Sequence, residues 1–343
     1  MGSSKKAILK RASDWFLKKQ ESSIILILLL FSALVICVNP AFISASNIIN
    51  ILHATGFTLV VVVGMSLTLI TGGLDLSVGS VYALGALICG MACTNGGLPV
   101  PVAILLGLSV GVAAGAVNGV LIVKAGMPPM IVTLGMQYMA RGLVSALTKG
   151  VPIFPLPEDF VAIGSTKLLG QFPIIVPLAI AIAVVGHITL SRTVFGRSVY
   201  AIGGNQEAAR ISGINIDRTK MTVYILTGML AALAGILMSA RLGSAEPSTG
   251  TGLEMKVICG AIIGGISTFG GMGTIFGAAL GALFMEALTN SLTLMKISVY
   301  WQNLVFGAVL VLSVLLDQYK RVLTMRQSIK STEYAAAEAA AKK

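Results

Sequence analysis

SRTVFGRSVYAIGGNQEAARISGINIDRTK, residues 191–220, stands between two long apolar runs and carries Arg192, Arg197, Arg210, Arg218 and Lys220 against only Glu207 and Asp217. A polar stretch of this length cannot lie in hydrocarbon, where each unsatisfied backbone group costs several kcal/mol. It is read as a loop, and its excess of Lys and Arg places it on the cytoplasmic side of a membrane. At its centre the helix formers Glu207-Ala208-Ala209-Arg210 run into a stop at Gly213, which predicts a short helix lying on the membrane face.

The flanks agree. Of 343 residues 56% are hydrophobic and 11% charged, and the mean hydropathy is +0.92, whereas a soluble domain carries about 25% charged residues. The chain is expected to be an all-α, polytopic membrane protein. About ten spans are expected, near 24–38, 51–70, 78–93, 102–123, 130–147, 174–190, 221–240, 257–267, 274–292 and 300–316. The eighth is short and broken or closely packed, because Gly260, Gly264 and Gly265 fall in it. A basic N-terminal arm (1–23) and a tail (317–343) with the look of a solvated Ala/Glu/Lys helix bracket the membrane domain 24–316, and both are expected in the cytoplasm. With ten spans, eighteen basic residues fall on that side and five (Lys149, Lys167, Arg241, Lys256, Lys296) on the other, with Arg141 inside a span. An odd count would send a basic end outward, against the positive-inside bias.

The net charge of +11 would suggest nucleic acid in a soluble protein. Here the basic residues cluster in loops and ends, so they read as orientation signals and as attraction to anionic lipid, with no nucleic-acid partner. Cys37, Cys89, Cys93 and Cys259 fall in apolar runs and are expected to be small core residues. No cleavable signal peptide or myristoylation pattern is expected at the basic start. The longest outer connection, 150–172, holds Pro152, Pro155 and Pro157 and predicts an ordered, mostly non-helical cap: a plain connector or part of a docking face.

A faint repeat divides the chain at 191–220. Gly73-Leu74-Asp75-Leu76 matches Gly252-Leu253-Glu254-Met255, and Gly111-Val112-Ala113-Ala114-Gly115-Ala116 matches Gly277-Ala278-Ala279-Leu280-Gly281-Ala282. Five spans separate each pair, and an odd number reverses direction. This predicts an inverted duplication of 51–147 and 221–316, unless the matches are chance among Gly/Ala-rich helices.

The most informative motif is Thr71-Gly72-Gly73-Leu74-Asp75-Leu76-Ser77-Val78-Gly79-Ser80. Gly72 and Gly73 end one helix, and Asp75 and Ser77 are residue types that cap the next. Asp75, with Gly73, Ser77, Gly79 and the matching Glu254, is either a structural cap or part of gating and energy coupling. Glu286 lies deep in a span, where acids face a bundle interior or a watery path. Asn118, Gln137, Asn290 and Asn303 either line the same path or act as polar glue between helices. Gly111/Gly115 and Gly277/Gly281 are small-xxx-small packing faces. Catalysis finds little support: there is no phosphate-binding Gly-rich loop with Lys, and His53 and His187 lack metal-ligand spacing. Ser66 with His187 is the one conceivable protease pair, and nothing near either residue supplies an oxyanion hole.

At these residues the chain resembles the permease subunits of bacterial ATP-driven simple-sugar importers, the ribose, galactose, xylose and allose group with the autoinducer-2 permeases. The resemblance runs through Asn47-Ile48-Ile49-Asn50-Ile51-Leu52, residues 72–80, Tyr200-Ala201-Ile202-Gly203-Gly204-Asn205, Arg210-Ile211-Ser212-Gly213-Ile214 and Gly264-Gly265-Ile266-Ser267 to Gly270-Gly271-Met272-Gly273-Thr274. It implies a non-enzymatic transport subunit of the inner membrane that works as a homodimer or heterodimer of permeases. A periplasmic binding protein would feed it the sugar, and a separate ATPase holding ATP and magnesium would drive it, with no cofactor in this chain. It also implies a cytoplasmic coupling helix, which falls on 205–213 here: Asn205, Glu207, Ala208, Ala209, Arg210 and Gly213. Glu207-Ala208-Ala209 and Gly213 keep the Glu-Ala-Ala-x-x-x-Gly spacing of the wider importer motif, without its Ile-x-Leu-Pro ending. Rival readings are an ion-coupled secondary transporter with Glu286 or Asp75 as carrier, a branched-chain amino-acid permease, and an intramembrane enzyme.

Overall fold

The computed structural model describes residues 20–168, 172–315 and 317–319. Most of the basic arm and of the Ala/Glu/Lys tail therefore lie outside the described residues. The order is α1 (Gln20–Val38), a 3-10 turn (Pro40–Ile43), α2 (Ala45–Ile70), α3 (Val78–Thr94), α4 (Val100–Val123) and α5 (Pro129–Thr148). Then come α6 (Glu158–Ser165), a small hairpin of β1 (Lys167–Leu168) and β2 (Phe172–Pro173), α7 (Ile175–Arg192), α8 (Val194–Gly204) and α9 (Gln206–Ile211). The chain closes with α10 (Ile216–Leu242), α11 (Leu253–Ile263), α12 (Ile275–Leu294) and α13 (Val299–Tyr319). Apart from the hairpin the fold is helical, as expected.

Each expected span overlaps a helix, though the eighth, 257–267, is displaced: α11 runs Leu253–Ile263 and residues 264–267 lie beyond its end. By length and apolar character, seven of those described (α2, α4, α5, α7, α10, α12, α13) can cross a membrane unaided. The apolar part of α1 and the 17-residue α3 are shorter, and α11 has 11 residues. At about 1.5 Å per residue, α11 covers roughly half of a 30 Å hydrocarbon core.

The two longest helices, α2 and α10, form the centre and are buried over most of their length. They touch at Gly64 and Thr227: the Thr227 hydroxyl donates to the Gly64 carbonyl at 2.9 Å and lies 2.9 Å from the Thr68 hydroxyl. Helices in lipid gain little from apolar contact, so close approach of small residues supplies the attraction. Both expected packing faces do this. On α4, Gly111 packs against the backbone of Gly228 and Gly115 against that of Tyr224; on α12, Gly277 packs against Gly264, which caps the end of α11, and Gly281 against Gly260 within it. The neighbours are mirrored between halves: α10 packs on α3 and α4, α2 packs on α11 and α12, α3 packs on α4, and α11 packs on α12.

Several expectations need correction. Segment 150–172 is mostly non-helical among the described residues, as expected, but it also holds α6, which starts after Pro157 with Glu158 and Asp159 in its first turn, where the helix dipole favours acids. It seats the buried Phe160, and Gly164 meets the backbone of Ala240 and Arg241. The segment 191–220 holds two helices, not one. α8 escapes a propensity reading because Gly196, Gly203 and Gly204 weaken its signal, yet Thr193 caps it by accepting from the Gly196 amide. Lys256 is not a loop charge but a residue of α11. Cys89, Cys93 and Cys259 are buried, whereas Cys37 is exposed.

Candidate functional site

Helix α9 stands clear of the bundle. Asn205 accepts from the Ala208 amide at 3.0 Å to cap its start. At its end the Gly213 amide bonds the Arg210 carbonyl and the Ile214 amide bonds the Ala209 carbonyl, with Gly213 at φ +79°. That left-handed stop is why Gly is needed there. Ala209 is buried against Ile202 and Ile216 and pins the helix to α8 and α10. Glu207, Ala208 and Arg210 face outward, and Ile211 is 87% exposed. The helix is thus short, capped at both ends, and presents an exposed isoleucine beside Glu207 and Arg210.

The motif 71–80 forms the turn between α2 and α3. Gly72 (φ +73°) and the Gly73 amide, which reaches the Thr68 carbonyl at 3.0 Å, close α2 as the sequence predicts. Asp75 is 1% exposed. It is not the N-cap of α3, the role its residue type suggests. Its carboxylate accepts from the Ser77 amide at 2.9 Å and the Ser77 hydroxyl at 2.6 Å, fixing the turn two residues on. Ser77 holds the cap position without a side-chain cap bond. Asn118 of α4 donates to Ser77 at 3.1 Å, and Thr133 of α5 donates to the Leu74 carbonyl at 3.2 Å. A Cβ at Gly73 would stand 2.5 Å from the Tyr224 hydroxyl, so this position is closed to larger residues.

The remaining polar candidates separate into three groups. Gln137 of α5 donates to Glu254 at 3.1 Å, and Gly79 of α3 packs against the Glu254 carboxylate. Beside them Arg141 donates to the carbonyls of Pro247 (2.7 Å), Thr249 (3.0 Å) and Gly79 (3.3 Å). Glu286 forms a 2.8 Å ion pair with Lys256 and accepts from the Thr58 hydroxyl. Asn290 and Asn47 exchange two amide bonds of 2.9 Å, tying the start of α2 to the end of α12. Asn303 is exposed on α13. Among the described residues no hydrogen bond joins these five candidates to one another, although Glu286 and Asn290 lie one turn apart on α12 and both bond to α2.

Mutating Asn47 or Asn290 to Ala should each cost about 1 kcal/mol, and the double variant scarcely more, since removing either side chain already breaks both bonds between them, Asn47 keeping its bond to the Phe42 carbonyl in the Asn290 variant. A double-mutant cycle on the denaturation midpoint reads this. Full additivity would show that the pair does not act as a unit.

Sequence reasoning missed Arg141, Lys256, Tyr200 and Asp317 as structural participants. Lys256 and Arg141 had a usable signal: a basic residue in an apolar run needs a partner inside the bundle. Asp317 belongs to α13 rather than to a tail, and its carboxylate accepts from Ser267 and from the amide and hydroxyl of Thr268. Ser66 donates to the Val62 carbonyl of its own helix and His187 is exposed on α7, so no catalytic pair is assembled from them. A cleft of about 410 Å³ opens between the 71–76 turn, Pro129 and Met130 of α5, Met255, Ile258 and Ile262 of α11, and α13. Its walls are mainly apolar.

A family model described as the permease component of branched-chain amino acid transport systems matches residues 47–314. The ribose import permease protein RbsC of Escherichia coli (strain K12) is 39% identical over 303 residues, covering 85% of this chain and 92% of that one. The autoinducer 2 import system permease protein LsrC of Enterobacter sp. (strain 638) is 36% identical over 312 residues, 91% and 90% of the two chains. The D-allose transport system permease protein AlsC of Escherichia coli (strain K12) is 34% identical over 277 residues, 81% and 85%. No solved structure matches. With a family match over most of its length, and relatives above 30% identity that are aligned nearly end to end, this chain belongs to the family of sugar-importer permeases.

Proposed function

We propose that this chain translocates a monosaccharide, ribose or a near relative, across the bacterial inner membrane as the permease subunit of an ATP-binding-cassette importer. A separate ATPase carries ATP and magnesium, a periplasmic protein delivers the sugar, and a second copy or a sister permease completes the pore. Both termini lie in the cytoplasm. The observation that carries the reading is α9, seated by the buried Ala209 and by the 2.8 Å bond from Lys220 to Gln206 and presenting Glu207, Arg210 and Ile211 outward. Closure of the ATPases pushes on residues 205–213 and rocks two inverted halves, 51–147 and 221–316. The mirrored packing of α2 and α10 supports that division.

The acids are not arranged as ion carriers. Glu286 is engaged by Lys256 and Thr58, and Asp75 by Ser77. The sparse polar lining fits a conduit whose selectivity resides in the binding protein. The chain is tested in proteoliposomes together with its ATPase and binding-protein partners. Uptake that needs both partners and ATP is expected, and uptake by the chain alone under an ion gradient would overturn the reading. Reversing the charges of Glu207 and Arg210 should lower uptake at least about tenfold, the scale of a lost interface anchor, with insertion unchanged.

A further inference from the structure

The segment 264–273, between α11 and α12, is joined to more of the bundle than a connector requires. Four of its glycines have positive φ: Gly265 (+97°), Gly270 (+86°), Gly271 (+73°) and Gly273 (+121°). The Ser267 amide bonds the Met272 carbonyl at 3.3 Å and the Gly270 amide bonds the Ser267 carbonyl at 3.2 Å, so the loop is folded on itself.

Three elements grip this loop. The Tyr200 hydroxyl of α8 donates to the Gly273 carbonyl at 2.7 Å. Burial holds that phenol above its ordinary range, so it stays a donor. The Gly271 amide donates to the Ile70 carbonyl, the last residue of α2, at 2.8 Å. Gly203 of α8 sits in the same junction, where a Cβ would overlap both the Ile70 carbonyl and the Gly271 amide. From α13, Asp317 accepts from Ser267 and Thr268 at 2.9–3.2 Å. Thr268 also borders the apolar cleft, together with Gly72 and Gly73.

Helix α9 connects to this junction almost without slack. Asn205 is at once the last cap of α8 and the first cap of α9, and Ala209 packs on Ile202. A side-chain contact can absorb a small shift by changing rotamer. Backbone against backbone cannot, because close-packed groups of this kind have no free volume to enter.

We propose that loop 264–273 transmits displacement of α8–α9 to the 71–77 turn and the cleft, with Tyr200 and Asp317 as its positioning residues. The inference rests on α9 being the ATPase contact. The movement enters at Tyr200 and Gly203, passes through Gly271 to the end of α2, and is braced by Asp317 so that the loop pulls rather than pivots.

The test uses the assembled importer and reads amide exchange with and without the magnesium complex of a non-hydrolysable ATP analogue. Nucleotide should change protection of 205–213 and of 264–273 together. In Tyr200→Phe combined with Asp317→Asn, the change at 264–273 should be lost while that at 205–213 persists. Uptake per ATP hydrolysed should fall about two- to tenfold, as for one or two lost hydrogen bonds. Hydrolysis itself should stay near wild type, which a merely destabilised bundle would not allow. A nucleotide response at 205–213 with none at 264–273 in the wild-type complex overturns the inference alone. No response at 205–213 overturns the coupling reading beneath it as well. The exchange measurement needs only the unmodified complex, so poor folding of the double variant leaves the outcome decisive.

Discussion

Lys256→Met is expected to destabilise the folded chain by about 3–5 kcal/mol, the range for removing one partner of a buried ion pair. The Lys256 ammonium is 2.8 Å from Glu286 Oε2, and both side chains are largely buried between α11 and α12. Without it, the Thr58 hydroxyl would be the one hydrogen bond left to the Glu286 carboxylate among the described residues, in a region of low dielectric. Adding Glu286→Gln to that variant should recover most of the loss, because exchanging a whole buried pair for neutral groups of similar shape is close to neutral. Denaturation of the purified protein in detergent reads both effects. A Lys256→Met midpoint equal to wild type would show that water or lipid headgroups reach this pair. The same measurement separates the transport readings: an acid that carries protons must be free to lose its partner, and this one is expected to collapse the fold when it does.

Gly281→Val should be comparably damaging, at about 3 kcal/mol or more. Its Cβ would overlap the Gly260 carbonyl, and Gly277 meets the Gly264 carbonyl one turn away. Overpacked side chains usually escape by shifting; here the obstacle is a helix backbone, so α11 and α12 must separate along their length. Because α11 has only 11 residues, it holds its place through this contact rather than by spanning the bilayer. The expected result is a loss of folded protein in membranes, measured by detergent extraction and gel filtration. Gly135→Ala serves as control, since a Cβ there meets nothing within 4 Å. Equal behaviour of the two variants would remove close packing as the force that seats α11.

Much of the architecture was legible because the signals are local. Apolar runs mark spans, Gly72 and Gly213 mark helix stops through their positive φ, and Asn205 with its neighbours marks α9. The small-xxx-small pairs on α4 and α12 were legible for the same reason. The polar candidates were not, since an isolated Asn or Glu in an apolar run announces only that it needs a partner. Asn290 proved to be tied to a residue 243 positions away and Glu286 to one 30 positions away. Asp75 shows the same limit at short range: its residue type suggests a helix cap, and the backbone path sends its carboxylate to Ser77 instead.

Composition and the distribution of Lys and Arg determined by themselves that this is a many-helix membrane protein, and residue spacing located its exposed helix. Those properties depend on each segment's own transfer energy and backbone preferences. Which acids are neutralised, and how the 264–273 loop meets α2, α8 and α13, only the tertiary structure decided. Those outcomes depend on contacts between segments far apart in the chain, whose energies no local stretch contains.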